Sequence, residues 1–186
     1  MKTDKTSTNL LLVQGGTPLK DVKGGFLSRI IDSNDLDNVN YILRSEDGTP
    51  YCGQLNIVSH ENRNNLLMMA LDYGLPVALC GDERGIITGL AVAPSNAPIP
   101  SLNCSFLKLQ EKRTGTVIRI VDRDPAAAIS YVLQTGDGSR YCAQMWPNSE
   151  NYDNRNSLFM LALRTNMPVT ITGGLRQEVT AIAVGS

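Results

Sequence analysis

The sequence predicts a mainly β chain with one helix in each of two tandem repeats. Three observations predict it. A stretch that reads as helix, stop and buried strand occurs twice, as Glu61–Gly81 and Asp153–Gly173, at a constant offset of 92. Upstream of each copy, short segments alternate apolar and polar residues and are broken by Asp-Gly pairs, the pattern of strands joined by tight turns. The chain has 186 residues, so each repeat is large enough for a small core of its own.

The repeated helix is the firmest element. Leu66, Leu67, Ala70 and Leu71 recur as Leu158, Phe159, Ala162 and Leu163, and Met69 and Leu161 widen the stripe into one broad apolar face. Met68, Met69 and Met160 read as core filler before they read as a soft ligand site. Gly74 and Asn166 follow the stripe, and both tolerate the left-handed conformation that ends a helix. Pro76 and Pro168 then forbid continuation. The Asn-rich entries, Asn62-Arg63-Asn64 and Asn154-Arg155-Asn156, are expected to cap the first turns, although a helix start with an Arg can also hold an anion.

The remaining elements follow in order. Residues 1–8 are expected to be disordered. Asn9–Val13 and Asn103–Leu109 are candidate lead-in strands, and Gln14–Gly24 is a glycine-rich loop. The first strand is Phe26–Asp32, matched by Thr116–Asp122 at an offset of 90, and a polar turn over 33–38 follows. In the second strand Val39, Tyr41 and Leu43 alternate onto one face, as do Ile129, Tyr131 and Leu133. Asp47-Gly48 and Asp137-Gly138 turn the chain into the third strand, Tyr51–Asn56 or Tyr141–Trp146. After the helix come Val77–Cys80 and Ile86–Val92, matched by Val169–Thr172 and Val179–Val184. The expected organisation is a first repeat over 9–92, a Pro-rich linker over 93–102 that holds the repeats at a restricted separation, and a second repeat over 103–186.

This order, three strands, a helix and two strands, resembles an OB-fold. The resemblance implies two tandem five-stranded barrels, each plugged at its open end by the helix. The closing phrase, helix, Pro-Val strand, turn and Ile87-Thr-Gly-Leu-Ala-Val92 strand, resembles the B subunits of pentameric AB-type bacterial toxins. That resemblance implies recognition of host-cell glycans. It is one of pattern over most of each repeat, and no residue maps onto a known sugar pocket. Two domains in one chain depart from the single-domain subunit of that family.

Composition narrows the function. Net charge is −1, but Gly25–Val92 carries four Arg against nine acidic residues while Gly115–Val184 is balanced, six against six. An acidic first repeat argues against nucleic acid, which is bound through clustered cations. No apolar run is long enough to cross a membrane. Leu10–Val13 is shorter than the apolar region of a signal peptide, so either the chain is not exported by that route or its signal has been removed; secreted and cytoplasmic locations both stay open. Cys52, Cys80, Cys104 and Cys142 contain no closely spaced pair, so no zinc site and no other cofactor is expected. Buried thiols are the simpler reading, with Cys52–Cys80 and Cys104–Cys142 the pairings internal to each repeat.

Candidate binding residues lie on the third strands and the loop after the second of them. Trp146, beside Asn148, Tyr152 and Asp153, has the make-up of a sugar platform, although rim packing is the simpler role. Tyr51, Gln54, Tyr141 and Gln144 recur where OB-folds bind ligands, with packing between strands again simpler. Arg29 and Arg119 sit mid-strand and are expected to form internal ion pairs with Asp32 or Asp122. A single histidine, His60, and no phosphate loop leave catalysis without support. The expected function is non-enzymatic binding of a glycan or glycoprotein receptor; the alternatives are single-stranded nucleic acid, or self-assembly as a homo-oligomer or with a partner subunit.

Overall fold

A glycine opens the bend on which each repeat turns. In the computed structural model, which describes residues 16–32, 38–56 and 58–186, the long strand β2 (Asp21–Ile31) serves two neighbours. Its first half pairs with β5 (Pro76–Gly81) and its second with β3 (Val39–Ser45), both antiparallel. At the crossing point, Gly25, an added Cβ would lie 1.9 Å from the carbonyl oxygen of Arg44. Gly115 holds the same place in β8 (Lys112–Arg123), with a Cβ 2.1 Å from the Gln134 carbonyl oxygen. Register shifts between Leu27 and Arg29 and between Val117 and Arg119 add a bulge to each strand, which sharpens the bend.

The chain is mainly β, as expected. In repeat 1, β1 (Thr17–Pro18) pairs with β4 (Pro50–Leu55), β4 with β3, and β5 with β6 (Ile87–Val92). In repeat 2, β7 (Leu107–Lys108) pairs with β10 (Arg140–Met145), β10 with β9 (Ile129–Thr135), β9 with β8, β8 with β11 (Pro168–Gly173), and β11 with β12 (Val179–Val184). All belong to one sheet that does not close on itself. Where a barrel would close, β4 meets the approach to β6, among the described residues, through the single bridge Gln54↔Ile86, and Gln144↔Glu178 repeats that in the second half.

The hairpin signals hold. Gly48 and Gly138 take positive φ, and Asp47 accepts bonds from the Ser45 hydroxyl and the Thr49 N–H, which hold its carboxyl down at about 2. The strands run longer than expected. The part of the expected loop 14–24 that is described contains β1 and the start of β2, because pairing with β5 extends five residues before Phe26. The lead-in strand expected over Asn103–Leu109 shrinks to β7, while residues 1–8, Asn9–Val13 and most of the polar turn after Asp32 lie outside the described residues.

The helices α1 (Glu61–Tyr73) and α2 (Tyr152–Thr165) end as expected, with Gly74 and Asn166 left-handed at φ 60° and 54°. Leu66, Leu67, Phe159 and Leu163 are fully buried in a core that runs through both repeats; burial of each such side chain contributes about 1.5–3 kcal/mol. Phe159 stacks on Tyr131 with ring centroids 3.9 Å apart. The expected caps are absent: neither helix start has a side-chain cap bond. Met68 is not core filler but half exposed, whereas Met69 is buried.

The Pro-rich stretch between the repeats packs against them. Residues 93–102 fold back, burying Ala93, Pro94, Pro100 and Leu102, and β6 pairs antiparallel with β8 across the repeat boundary. Leu102 covers Ala91 and Val121 at this seam. Cys104 and Cys142 form a disulfide at a sequence separation of 38, correcting the expectation of four thiols; on chain-entropy grounds such a link contributes about 4 kcal/mol. Cys52 and Cys80 stay free, and burial pushes the Cys52 thiol up to about 11.

Candidate binding groove between the two helices

Pairing of β6 with β8 brings the N-terminal halves of α1 and α2 alongside each other. Between them runs a groove of about 1100 Å³. Its floor is a polar network that crosses the repeat boundary. Arg63, on α1 and 2% exposed, donates from Nε to Asp122 at 2.9 Å and from Nη2 to Asp124 at 2.7 Å. Its Nη1 reaches the Ile87 carbonyl at 3.3 Å. Asn62 donates to the other Asp122 oxygen at 2.9 Å, and Asn156 on α2 donates to the Asn62 side-chain oxygen Oδ1 at 2.9 Å. Asn62 and Asn156, two of the four Asn expected to cap the helices, therefore tie the repeats together.

Electrostatics fix the direction of these bonds. Burial raises the Tyr131 phenol well above its ordinary value, so it stays protonated and donates to the Asn156 side-chain oxygen at 2.6 Å. That leaves the Asn156 amide N–H groups facing Asn62. Burial alone would pull the Arg63 guanidinium down, but its bonds to Asp124 and Asp122 outweigh this and raise it. Arg63 in turn holds the Asp124 carboxyl below the usual range, chiefly by its hydrogen bond.

The walls are mixed. Asn65, Met68, Asp72 and Tyr73 line one side from α1; Tyr152, Asp153, Met160 and Arg164 line the other from α2. Arg164 lies 5.1 Å over the Tyr73 ring, linking the helices. Tyr152 is 8% exposed, and its hydroxyl has no hydrogen-bond partner. It lies near the Tyr131 hydroxyl without bonding geometry, and burial, then Asp122 and Asp153, raises its pKa, so it remains a donor.

Of the residues singled out from sequence, Tyr152 and Asp153 line this groove. Trp146 and Asn148 do not: Trp146 is half-buried at the end of β10, its carbonyl accepting from the Ser149 N–H and hydroxyl, and Asn148 is exposed beside it. Tyr51 and Tyr141 pack against the core under Lys23 and Arg113, at 5.2 and 5.0 Å. Gln54 accepts from Asn38 at 3.4 Å, and the Gln144 N–H bonds the Gln177 carbonyl. Arg119 forms no ion pair with Asp122; it bonds the Ser101 hydroxyl and the Asn103 carbonyl and lies over Phe106. Among the described residues Arg29 forms no ion pair either. Sequence reasoning missed the Arg63–Asp122–Asp124 cluster, whose signal was an Asn-Arg-Asn phrase too polar for its place on a packed helix. Among the described residues no cluster of three His, Cys, Asp or Glu could hold a metal ion, and no helix is long and apolar enough to cross a membrane.

Comparison of the chain with known protein families, curated proteins and solved structures found no match.

Proposed function

We propose that the protein is a non-enzymatic carbohydrate-binding protein of two OB-fold-like barrels, with a lectin-like or toxin B-subunit-like role, and that its ligand lies in the groove between α1 and α2. The unpartnered Tyr152 hydroxyl carries this reading. A buried donor without an acceptor costs free energy, which a ligand hydroxyl would recover once the covered Tyr152 oxygen turns into the groove. Asn65, Asp72 and Asp153 offer exposed amide and carboxylate groups along the groove, and Met68 and Met160 offer apolar surface for C–H faces. A polyhydroxylated ligand matches that mixture. Single-stranded nucleic acid matches it less well, because Glu61, Asp72, Asp122, Asp124 and Asp153 outnumber Arg63 and Arg164 along the groove. The Cys104–Cys142 disulfide supports an oxidising setting, where receptor glycans are found.

A glycan array probed with the labelled, folded protein tests the proposal. The expected result is binding to a related set of oligosaccharides, weakened about two- to tenfold by Tyr152→Phe, the worth of one hydrogen bond. A blank array with folded protein would remove the carbohydrate reading.

A further inference from the structure

The seam between the repeats joins unlike surfaces: β6, the last strand of repeat 1, meets β8, the long bent strand of repeat 2. Each repeat therefore has one half of this contact left over at the opposite end of the chain. We propose that a second copy of this chain docks there, with β12 of one molecule pairing antiparallel with the end of β2 of the next. Chains would then join head to tail.

The unused halves carry the same chemistry as the used ones. Arg155 stands 92 residues after Arg63, and its Nη1 reaches the Val179 carbonyl at 3.0 Å, as that of Arg63 reaches Ile87, itself 92 residues earlier. Arg63 has two carboxylates, whereas among the described residues Arg155 has none. The missing acid exists at the other end. Asp32 is the counterpart of Asp122 at the offset of 90, is exposed, and has no ion pair among the described residues.

The amides repeat the argument. Asn64 accepts from Tyr41 as Asn156 does from Tyr131. The Asn156 amide then reaches Asn62 across the seam, whereas among the described residues that of Asn64 faces only Met68 Sδ at 3.5 Å. Asn154, the counterpart of Asn62, is exposed.

Burial separates the occupied surface from the vacant one. Leu90, Ala91, Val92 and Ile120 are 0% exposed at the seam. Their counterparts Ile182, Ala183, Val184 and Ile30 are half-buried or exposed, and among the described residues β12 pairs with β11 alone. Transferring the register Leu90↔Asp122 and Val92↔Ile120 places Ile182 opposite Asp32, and Val184 opposite Ile30, of the second copy. The copy supplies Asp32 to Arg155 as Asp122 serves Arg63, and in the sequence Asn34 stands at the counterpart of Asp124. A heterologous contact of this kind propagates until it closes. Any closed ring of whole chains would contain an even number of repeats.

Sedimentation equilibrium over a wide range of concentration tests this. The wild type should show species heavier than the 20.2 kDa chain. Arg155→Glu and Asp32→Arg should each raise the dissociation constant at least about tenfold, since each sets like charges across the contact. Mixing the two variants should restore assembly, because Glu now meets Arg at one junction and the native pair forms at the next. Asp32 is exposed, so Asp32→Arg reads the contact even if Arg155→Glu perturbs folding. A wild type that stays at the mass of one chain overturns the proposal, as does assembly that Asp32→Arg leaves unchanged.

Discussion

Arg63 is the residue on which the two repeats meet. It is buried on α1, yet both its acids, Asp122 and Asp124, come from the other repeat. Removing one member of a buried pair leaves the partner stranded. Asp122 is 14% exposed and pays the larger share, while Asp124, 50% exposed, is screened by water. Arg63→Ala should therefore destabilise the protein by about 3 kcal/mol in urea unfolding. The sign of the pH effect follows from Asp124. Its folded pKa lies below the ordinary 3.8, so its contribution is complete above that value and is lost as pH falls through the lowered one. The gap between wild type and Arg63→Ala should narrow on acidification below about pH 4. A gap that stays constant down to pH 2 would mean that Asp124 contributes nothing.

At the scale of elements, β2 and β8 decide the architecture, because each bends to serve two partner strands. Gly115→Ala places a methyl group against the Gln134 backbone, which cannot rotate away, and should cost about 1–3 kcal/mol. Gly136→Ala is the control: its Cβ meets nothing within 4 Å, and its stability should stay within about 0.5 kcal/mol of the wild type. Equal effects in a thermal melt would show that close approach is not what Gly115 serves. These elements also show what was legible in the sequence. The helix stops at Gly74 and Asn166 and the Asp-Gly hairpins were readable, because local chemistry determines them. The early start of β2 was not. Asp21–Gly25 has no strand pattern of its own and is extended by β5, some 55 residues later.

For the whole molecule, the repeats form one continuous sheet and one core, and the candidate groove exists only because they do. This is why the site was half legible. Tyr152 and Asp153 stood out beside an aromatic loop, but Asn65, Asp72 and Arg63, which line the groove with them, come from the other repeat. Pairing between β6 and β8 is a nonlocal choice that no single stretch encodes. Trp146 stood out as the only tryptophan and lies apart from the groove. The most direct measurement is backbone amide chemical-shift mapping with the oligosaccharide that the array selects. The account predicts that perturbations concentrate at Asn65, Met68, Asp72, Tyr152 and Asp153 on the facing helices. Perturbations confined to Trp146, Asn148 and the strands bearing Tyr51 and Tyr141, with the helices silent, would contradict it.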